Sequence, residues 1–249
     1  MTSDHFSAVA QTYAQARPHY PTALFDWLSG LCQQHDRVWD CGAGSGQASV
    51  ALADHFAQVI ATDVSAAQLE QAKAHPGVDY RVAPAEASGL ETASVDLVTV
   101  AQALHWFDFE LFFQEVRRVL RPGGVMAAWT YGIVRIEGEA VDALSQAFYR
   151  DEIGAYWPPE RRHVEEGYRS IPFPFERIEA PAFAMAVHWT LDEVLAYFRS
   201  WSATARYVRQ NGVDPVAALA DRMAGPWGDP QTRRRVEWPL SILAGRVAG

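Results

Sequence analysis

An α/β fold built on a parallel sheet is predicted by three observations. Short apolar runs recur from Arg37 onward: VWD (38–40), VIATD (59–63), VDYRV (78–82), VDLVTV (95–100) and GVMAAW (124–129). Helical stretches lie between them, and the first run ends in a glycine-rich turn, CGAGSG (41–46), that opens one of these helices. Strands alternating with helices read as βαβ units and a parallel sheet, and five such steps fit residues 37–131.

Each element has its own start and stop signals. Ser65-Ala66-Ala67-Gln68 is a capping-box pattern, which predicts a helix running to about His75, where Pro76-Gly77 stops it. Phe109, Phe112, Phe113, Val116, Val119 and Leu120 follow helical spacing, so this helix lays one apolar stripe on the sheet and ends before Arg121-Pro122-Gly123-Gly124. Beyond Tyr131 the rhythm breaks. A helical pattern around 139–150 leads into YWPPERR and IPFPFERIEAPAF, which reads as an insertion. FAMAVHW (183–189) is a strand, and Thr190-Leu191-Asp192-Glu193 caps a helix with Val194, Leu195 and Phe198 on one face. Asp214-Pro215 starts a further helix, and VEWPLSILAGRV (236–247) is the last strand.

The chain's 249 residues can bury a sizeable core, and one domain is expected. A formal charge of −9 repels a polyphosphate, and Arg233-Arg234-Arg235 is too short a basic run to overcome it, so nucleic acid is not an expected partner. Cys32 and Cys41 lack metal-ligand spacing and fit a reducing compartment. No leader pattern opens the chain and no apolar run approaches the roughly 20 residues of a bilayer span, so a cytoplasmic protein without membrane contact is expected.

The glycine turn narrows the ligand. A strand, a glycine turn and a helix start present backbone N–H groups, and absent side chains let a ligand approach the main chain. A dinucleotide loop would read G-x-G-x-x-G, whereas here Gly42, Gly44 and Gly46 alternate and Gln47 takes the place of the third glycine. Asp40, at the mouth of the loop, would repel a pyrophosphate and suits an ammonium group. Asp63 closes the second strand, where a carboxylate accepts hydrogen bonds from both hydroxyls of a ribose. A ribose, an amine and no phosphate describe S-adenosyl-L-methionine.

The motifs VWDCGAGSGQAS, ATDVSAAQL, VAPAEASGL, SVDLVTVAQALHWFD and EVRRVLRPGG, in this order over residues 37–131, resemble those of the class I S-adenosylmethionine-dependent methyltransferases, in particular the trans-aconitate methyltransferase-like branch. The resemblance implies a Rossmann-like α/β fold: a seven-stranded, mostly parallel sheet with an antiparallel last strand, helices on both faces and a helical cap from residues 132–182 and 191–223. It implies that Asp40, Gly42, Ala43, Gly44 and Gly46 hold the methionine part, Asp63 the ribose, and that Val64 and Gln68 flank adenine and ribose. Pro84 stands where the family commonly offers an aspartate to adenine, so that contact passes to Ala85 and Glu86. Ala101 and Gln102 would lie beside the cofactor, with His105 and Trp106 facing the acceptor.

The segment before the first strand, residues 1–36, resembles the lid of this branch, with Tyr13, Arg17, His19 and Tyr20 as its polar and aromatic face. An arginine reaching the acceptor would bind a carboxylate bidentately, favouring a small organic acid. Arg17 is read either so or as a surface residue; His105 is read either as a base or orienting group, or as a structural histidine beneath Trp106, Phe107 and Phe109. The expected reaction is methyl transfer to a small-molecule acceptor, a carboxylate or hydroxyl, giving S-adenosyl-L-homocysteine, with no metal and a monomer or homodimer. A nicotinamide oxidoreductase and a non-catalytic S-adenosylmethionine-binding protein are the alternatives.

Overall fold

A computed structural model describes residues 18–247. Among these, nine strands follow one another: β1 (Arg37–Cys41), β2 (Gln58–Asp63), β3 (Val78–Val82), β4 (Val95–Ala101), β5 (Leu120–Tyr131), β6 (Arg135–Ile136), β7 (Glu176–Ile178), β8 (Ala184–Trp189) and β9 (Arg234–Arg246). The α-helices are α1 (Thr22–Gly30), α2 (Gln47–Leu52), α3 (Ala66–Leu69), α4 (Phe109–Val119), α5 (Glu139–Ala147), α6 (Arg161–Glu165), α7 (Leu191–Arg199), α8 (Ser202–Asn211) and α9 (Pro215–Trp227). The chain forms two units: a sheet unit of Tyr20–Gly132, Arg162–Phe183 and the residues from Leu240, and a helical unit containing Ile133–Arg161 and Ala184–Pro239.

In the sheet unit the strand order is β3-β2-β1-β4-β5-β9, with β7 on the far side of β9. The first five pair in parallel, and β9 runs antiparallel to both β5 and β7. Side chains alternate across the strands: Trp39, Ile60 and Val98 join Phe112, Phe113, Val116 and Val119 of α4 on one face, while Val38, Val59 and Leu97 join Leu24, Phe25 and Leu28 of α1 and Leu52 of α2 on the other. Burial on both faces is why the strands read as unbroken apolar runs. The strand order reverses between β1 and β4, and crevices for ligands open beyond the carboxyl ends of strands at such a switch point.

The total of nine strands corrects the seven expected. Residues 240–246 of β9 pair with β5, whereas 234–239 run on into the helical unit and pair with β8, with β6 on Val236 and Glu237. A strand this long offers fresh edges once its first partner has ended. The strand at 184–189 exists as expected, but the second partner of β9 in the sheet unit, opposite β5, is the short β7, from the stretch read as an insertion. The helix expected from Ser65 to about His75 stops at Leu69. Ser65 accepts the Gln68 N–H at 3.3 Å as its pattern predicts, but no residue of α3 is buried, so no tertiary packing offsets the cost of extending it.

Within the helical unit, Thr190 and Glu193 close the predicted capping box of α7, and Asp214 accepts from Val216 N at 2.9 Å ahead of Pro215. Trp238 is fully buried and its indole donates to Tyr197 Oη at 2.8 Å. No helix among the described residues is long and apolar enough to cross a membrane.

Candidate functional site

The turn after β1 is shaped by conformations that favour glycine. Gly42, Gly44 and Gly46 have φ of 69°, 54° and 77°, and L side chains rarely adopt this left-handed region. Space enforces two of them: a Cβ on Gly42 would lie 2.6 Å from Ala103 Cβ, and one on Gly46 would run into the Tyr80 phenol. At Gly44 a Cβ would meet only Gln68 Oε1, at 3.7 Å. The N–H groups of Gly42 and Ala43 donate to Thr62 O at 2.8 and 2.9 Å, tying the turn to β2.

Two carboxylates sit beneath and beside this turn. Asp40 is fully buried and accepts hydrogen bonds from Ser49 Oγ (2.5 Å) and Thr99 Oγ1 (2.9 Å). Its carboxyl is pushed up to about 6, chiefly by burial and in smaller part by the charge of Asp63, against the lowering effect of these hydroxyls. Asp63 ends β2 and receives Gly44 N–H on Oδ2 at 2.9 Å and Ser65 N–H on Oδ1 at 2.8 Å. A carboxylate has about four acceptor positions, so each oxygen retains capacity for a hydroxyl. Beside it, Val64 is 76 % exposed and Gln68 is exposed. Ala85 is buried, and Glu86 Oε1 accepts from Asp108 N at 3.1 Å, joining the loop after β3 to the start of α4.

At the end of β4, Ala101 leads to Gln102, a non-glycine residue with φ of 60°. Its N–H donates to Trp129 O at 2.9 Å and its Oε1 accepts from Thr130 Oγ1 at 3.0 Å, while Nε2 is buried with no partner among the described residues. A single helical turn, 104–106, then presents His105 and Trp106. His105 Nδ1 lies 3.1 Å from Tyr168 Oη, and its ring is 4.8 Å from that of Trp106, which is 61 % exposed.

Tyr168 was not foreseen from the sequence. It is fully buried, and both it (φ 62°) and the preceding Gly167 (φ 60°) are left-handed. A bulky residue held there is strained, and such strain persists where the surroundings over-determine it, often at functional sites. Nothing in GYRS marks it, because its partner is 63 positions away. Tyr20, expected on the lid, packs edge-on against Trp129 at 5.6 Å. Burial drives its phenol far above the ordinary range, with Tyr131, Asp40 and Tyr168 adding to the shift. The structure therefore gathers Asp40, Gly42, Ala43, Gly44, Gly46, Asp63, Gln102 and His105 at one edge of the sheet unit; Tyr13 and Arg17 lie outside the described residues.

Residues 39–128 match the family described as the methyltransferase domain. A candidate methyltransferase of Dictyostelium discoideum is 33% identical over 223 residues, 88% of this chain and 85% of its own. The chain belongs to the class I S-adenosylmethionine-dependent methyltransferases.

Two further comparisons agree. The Saccharomyces cerevisiae protein named "Probable S-adenosylmethionine-dependent methyltransferase CRG1" is 31% identical over 245 residues, with 83% of each chain covered. A solved structure from Anaeromyxobacter dehalogenans, described as a candidate type II methyltransferase, is 48% identical with a TM-score of 0.89, covering 93% of this chain and 98% of that one. Other curated relatives align over about half their length. The family membership of this methyltransferase decides against the nicotinamide alternative. The family match runs from β1 into β5, so Asp40, Asp63, Gln102 and His105 fall inside it, whereas Tyr168 lies beyond it. Among the described residues of the methyltransferase, no group of His, Cys, Asp and Glu could hold a metal ion.

Proposed function

We propose that this methyltransferase acts on an oxygen, a hydroxyl or carboxylate, of a small organic acid, and that His105 handles the acceptor at the carboxyl edge of β4. One observation carries this reading: His105 Nδ1 is held at 3.1 Å by the buried, left-handed Tyr168. A histidine anchored at one ring nitrogen has a defined orientation and exchanges a proton at the other. When bound, S-adenosylmethionine supplies an electrophilic methyl group on a sulfonium.

The residues of the chain fit that group. The open side of Gly44 admits a ligand to the main chain, Asp63 accepts the ribose hydroxyls, and Val64, Gln68, Ala85 and Glu86 line the adenine side. The orphan Nε2 of Gln102 donates to an acceptor atom of the ligand. Asp40, buried under the turn, adds negative charge rather than a direct contact. His105 orients the acceptor oxygen and takes its proton where that oxygen is a hydroxyl; an ionised carboxylate needs no base. Trp106 covers the acceptor and excludes water.

His105→Ala should lower turnover by about 10²–10⁴-fold and leave affinity for S-adenosylhomocysteine within about twofold. Tyr168→Phe should lower kcat in the same assay and alter its pH profile without changing the KM for S-adenosylmethionine. The assay is S-adenosylhomocysteine release across small acids, phenols and quinone-like compounds, repeated with His105→Ala and Arg17→Ala. An equal loss of cofactor affinity in His105→Ala would sink the assignment, and cofactor binding without turnover of any acceptor would favour a non-catalytic binder.

Asp40 gives a pH signature. Its proton is bound more tightly in the folded chain than in the unfolded one, so its contribution to stability is lost as pH rises from the ordinary carboxylate range through about 6. The ammonium group of S-adenosylhomocysteine favours the ionised form. Affinity for S-adenosylhomocysteine should therefore rise between about pH 5 and 7 and then level off, whereas Asp40→Asn binds weakly and evenly across that range. Over the same range the Tm of Asp40→Asn should gain on that of the natural chain. A parallel pH dependence of binding in both proteins would refute this role.

A further inference from the structure

The helical unit carries a constellation that methyl transfer, as described above, leaves unused. Tyr149, Trp157 and Trp201 form a three-ring cluster with centroids 4.9 Å (Tyr149–Trp157), 5.7 Å (Tyr149–Trp201) and 5.7 Å (Trp157–Trp201) apart. The Arg161 guanidinium lies against it, its carbon 4.7 Å from the centre of Trp157 and 5.8 Å from that of Tyr149. Its Nε donates to Tyr149 Oη at 2.9 Å, which fixes the plane of the fork and leaves the Nη1/Nη2 edge for another acceptor.

No carboxylate of the described residues pairs with it. In the same unit Arg135, Arg199, Arg222, Arg233 and Arg235 each hold one, at 3.0, 2.9, 2.7, 3.2 and 2.7 Å. Arg161 is partly buried between rings, and among the described residues its side chain has only the tyrosine oxygen. The indole Nε1 of Trp157, the ring beneath it, is buried and has no hydrogen-bond partner among the described residues. A partly desolvated cation without a counter-charge is unfavourable, and an anion on the free edge of the guanidinium relieves it; the buried indole donor is a second unmet polar group, on the ring against which that guanidinium lies.

We propose that Arg161 and Trp157 form a binding site for the carboxylate of a flat small molecule. The free edge of the guanidinium offers two parallel N–H groups, which match the two oxygens of a carboxylate. A single cation in a chain of net charge −9 favours a singly charged carboxylate over a more highly charged phosphate. Rings stacked beside the guanidinium favour a planar body attached to that carboxylate. The carboxylate belongs either to the methyl acceptor or to a separate ligand, and the arms of the test distinguish the two; only the first source rests on the proposed reaction.

The full chain is titrated calorimetrically with benzoate, with benzamide as its neutral isostere and with inorganic phosphate. Benzoate should bind saturably, and both controls at least about tenfold more weakly. Arg161→Gln and Arg161→Lys should each weaken benzoate by about tenfold or more, since lysine keeps the charge and loses the fork, and Trp157→Phe should weaken it by a smaller factor while keeping the ring. Affinity for S-adenosylhomocysteine should be unchanged in all three variants, which shows that they are folded. Equal benzoate binding in Arg161→Gln, equal binding of benzamide, or no saturable benzoate binding overturns the site. A carboxylic acid acceptor whose KM rises about tenfold in Arg161→Gln with kcat kept identifies the site as the acceptor's; saturable benzoate binding that leaves acceptor KM unchanged identifies a separate ligand. Failure of the His105 assignment leaves the benzoate titration unaffected, so the two readings fail separately.

Discussion

Asp63→Ala should abolish measurable binding of S-adenosylhomocysteine while the chain stays folded. The carboxylate organises Gly44 and Ser65 through their N–H groups at 2.9 and 2.8 Å, and in the proposed function it also accepts two ribose hydroxyls. Hydrogen bonds to a charged group contribute about 1.5–3 kcal/mol each, so losing two costs about 3–6 kcal/mol, or ~10²–10⁴ in affinity. Asp63→Asn, which keeps one acceptor oxygen, should fall between. Calorimetric titration measures the affinity, and circular dichroism checks the fold. A loss below about fivefold in the alanine variant would exclude Asp63 from the ribose site.

Gly46→Ala should remove both stability and cofactor binding. Two separate penalties act: a left-handed conformation costs an L residue about 1–2 kcal/mol, and the new methyl group meets the Tyr80 phenol. That phenol donates to Lys73 O at 3.0 Å, so displacing it also loosens the chain before β3. For a chain of about this size each kcal/mol shifts Tm by about 2–4 °C. Combining Gly46→Ala with Tyr80→Ala should recover the steric part and leave the conformational part. If the two substitutions simply add, the contact with Tyr80 is not the cause.

Local features were legible in the sequence; features that depend on distant partners were not. The glycine turn, Asp63, the stripe of α4 and the caps at Thr190 and Asp214 are patterns within a few residues, and each is found where its pattern lies. Ser49 and Thr99 were not associated with Asp40, because one follows on α2 and the other sits on β4. Tyr168 reaches His105 from a loop whose left-handed backbone has no distinctive composition beyond a glycine. The short β7 lies in a proline- and aromatic-rich stretch where three paired residues leave no visible alternation. α3 shows the opposite case, a correct cap on a helix with nothing to bury.

The place of β9 bears on how the chain matures. It fills the gap between β5 and β7 although it is synthesised after both. Until residues 240–246 leave the ribosome, one edge of β5, the uncharged segment VMAAWTY, lacks its partner. An unpaired, apolar, proline-free edge is a template for pairing with another chain, and a nascent chain exposes it for as long as the helical unit takes to emerge. Yield in the cell should thus depend on chaperone supply and translation speed downstream of Tyr131 as much as on the stability of the finished molecule.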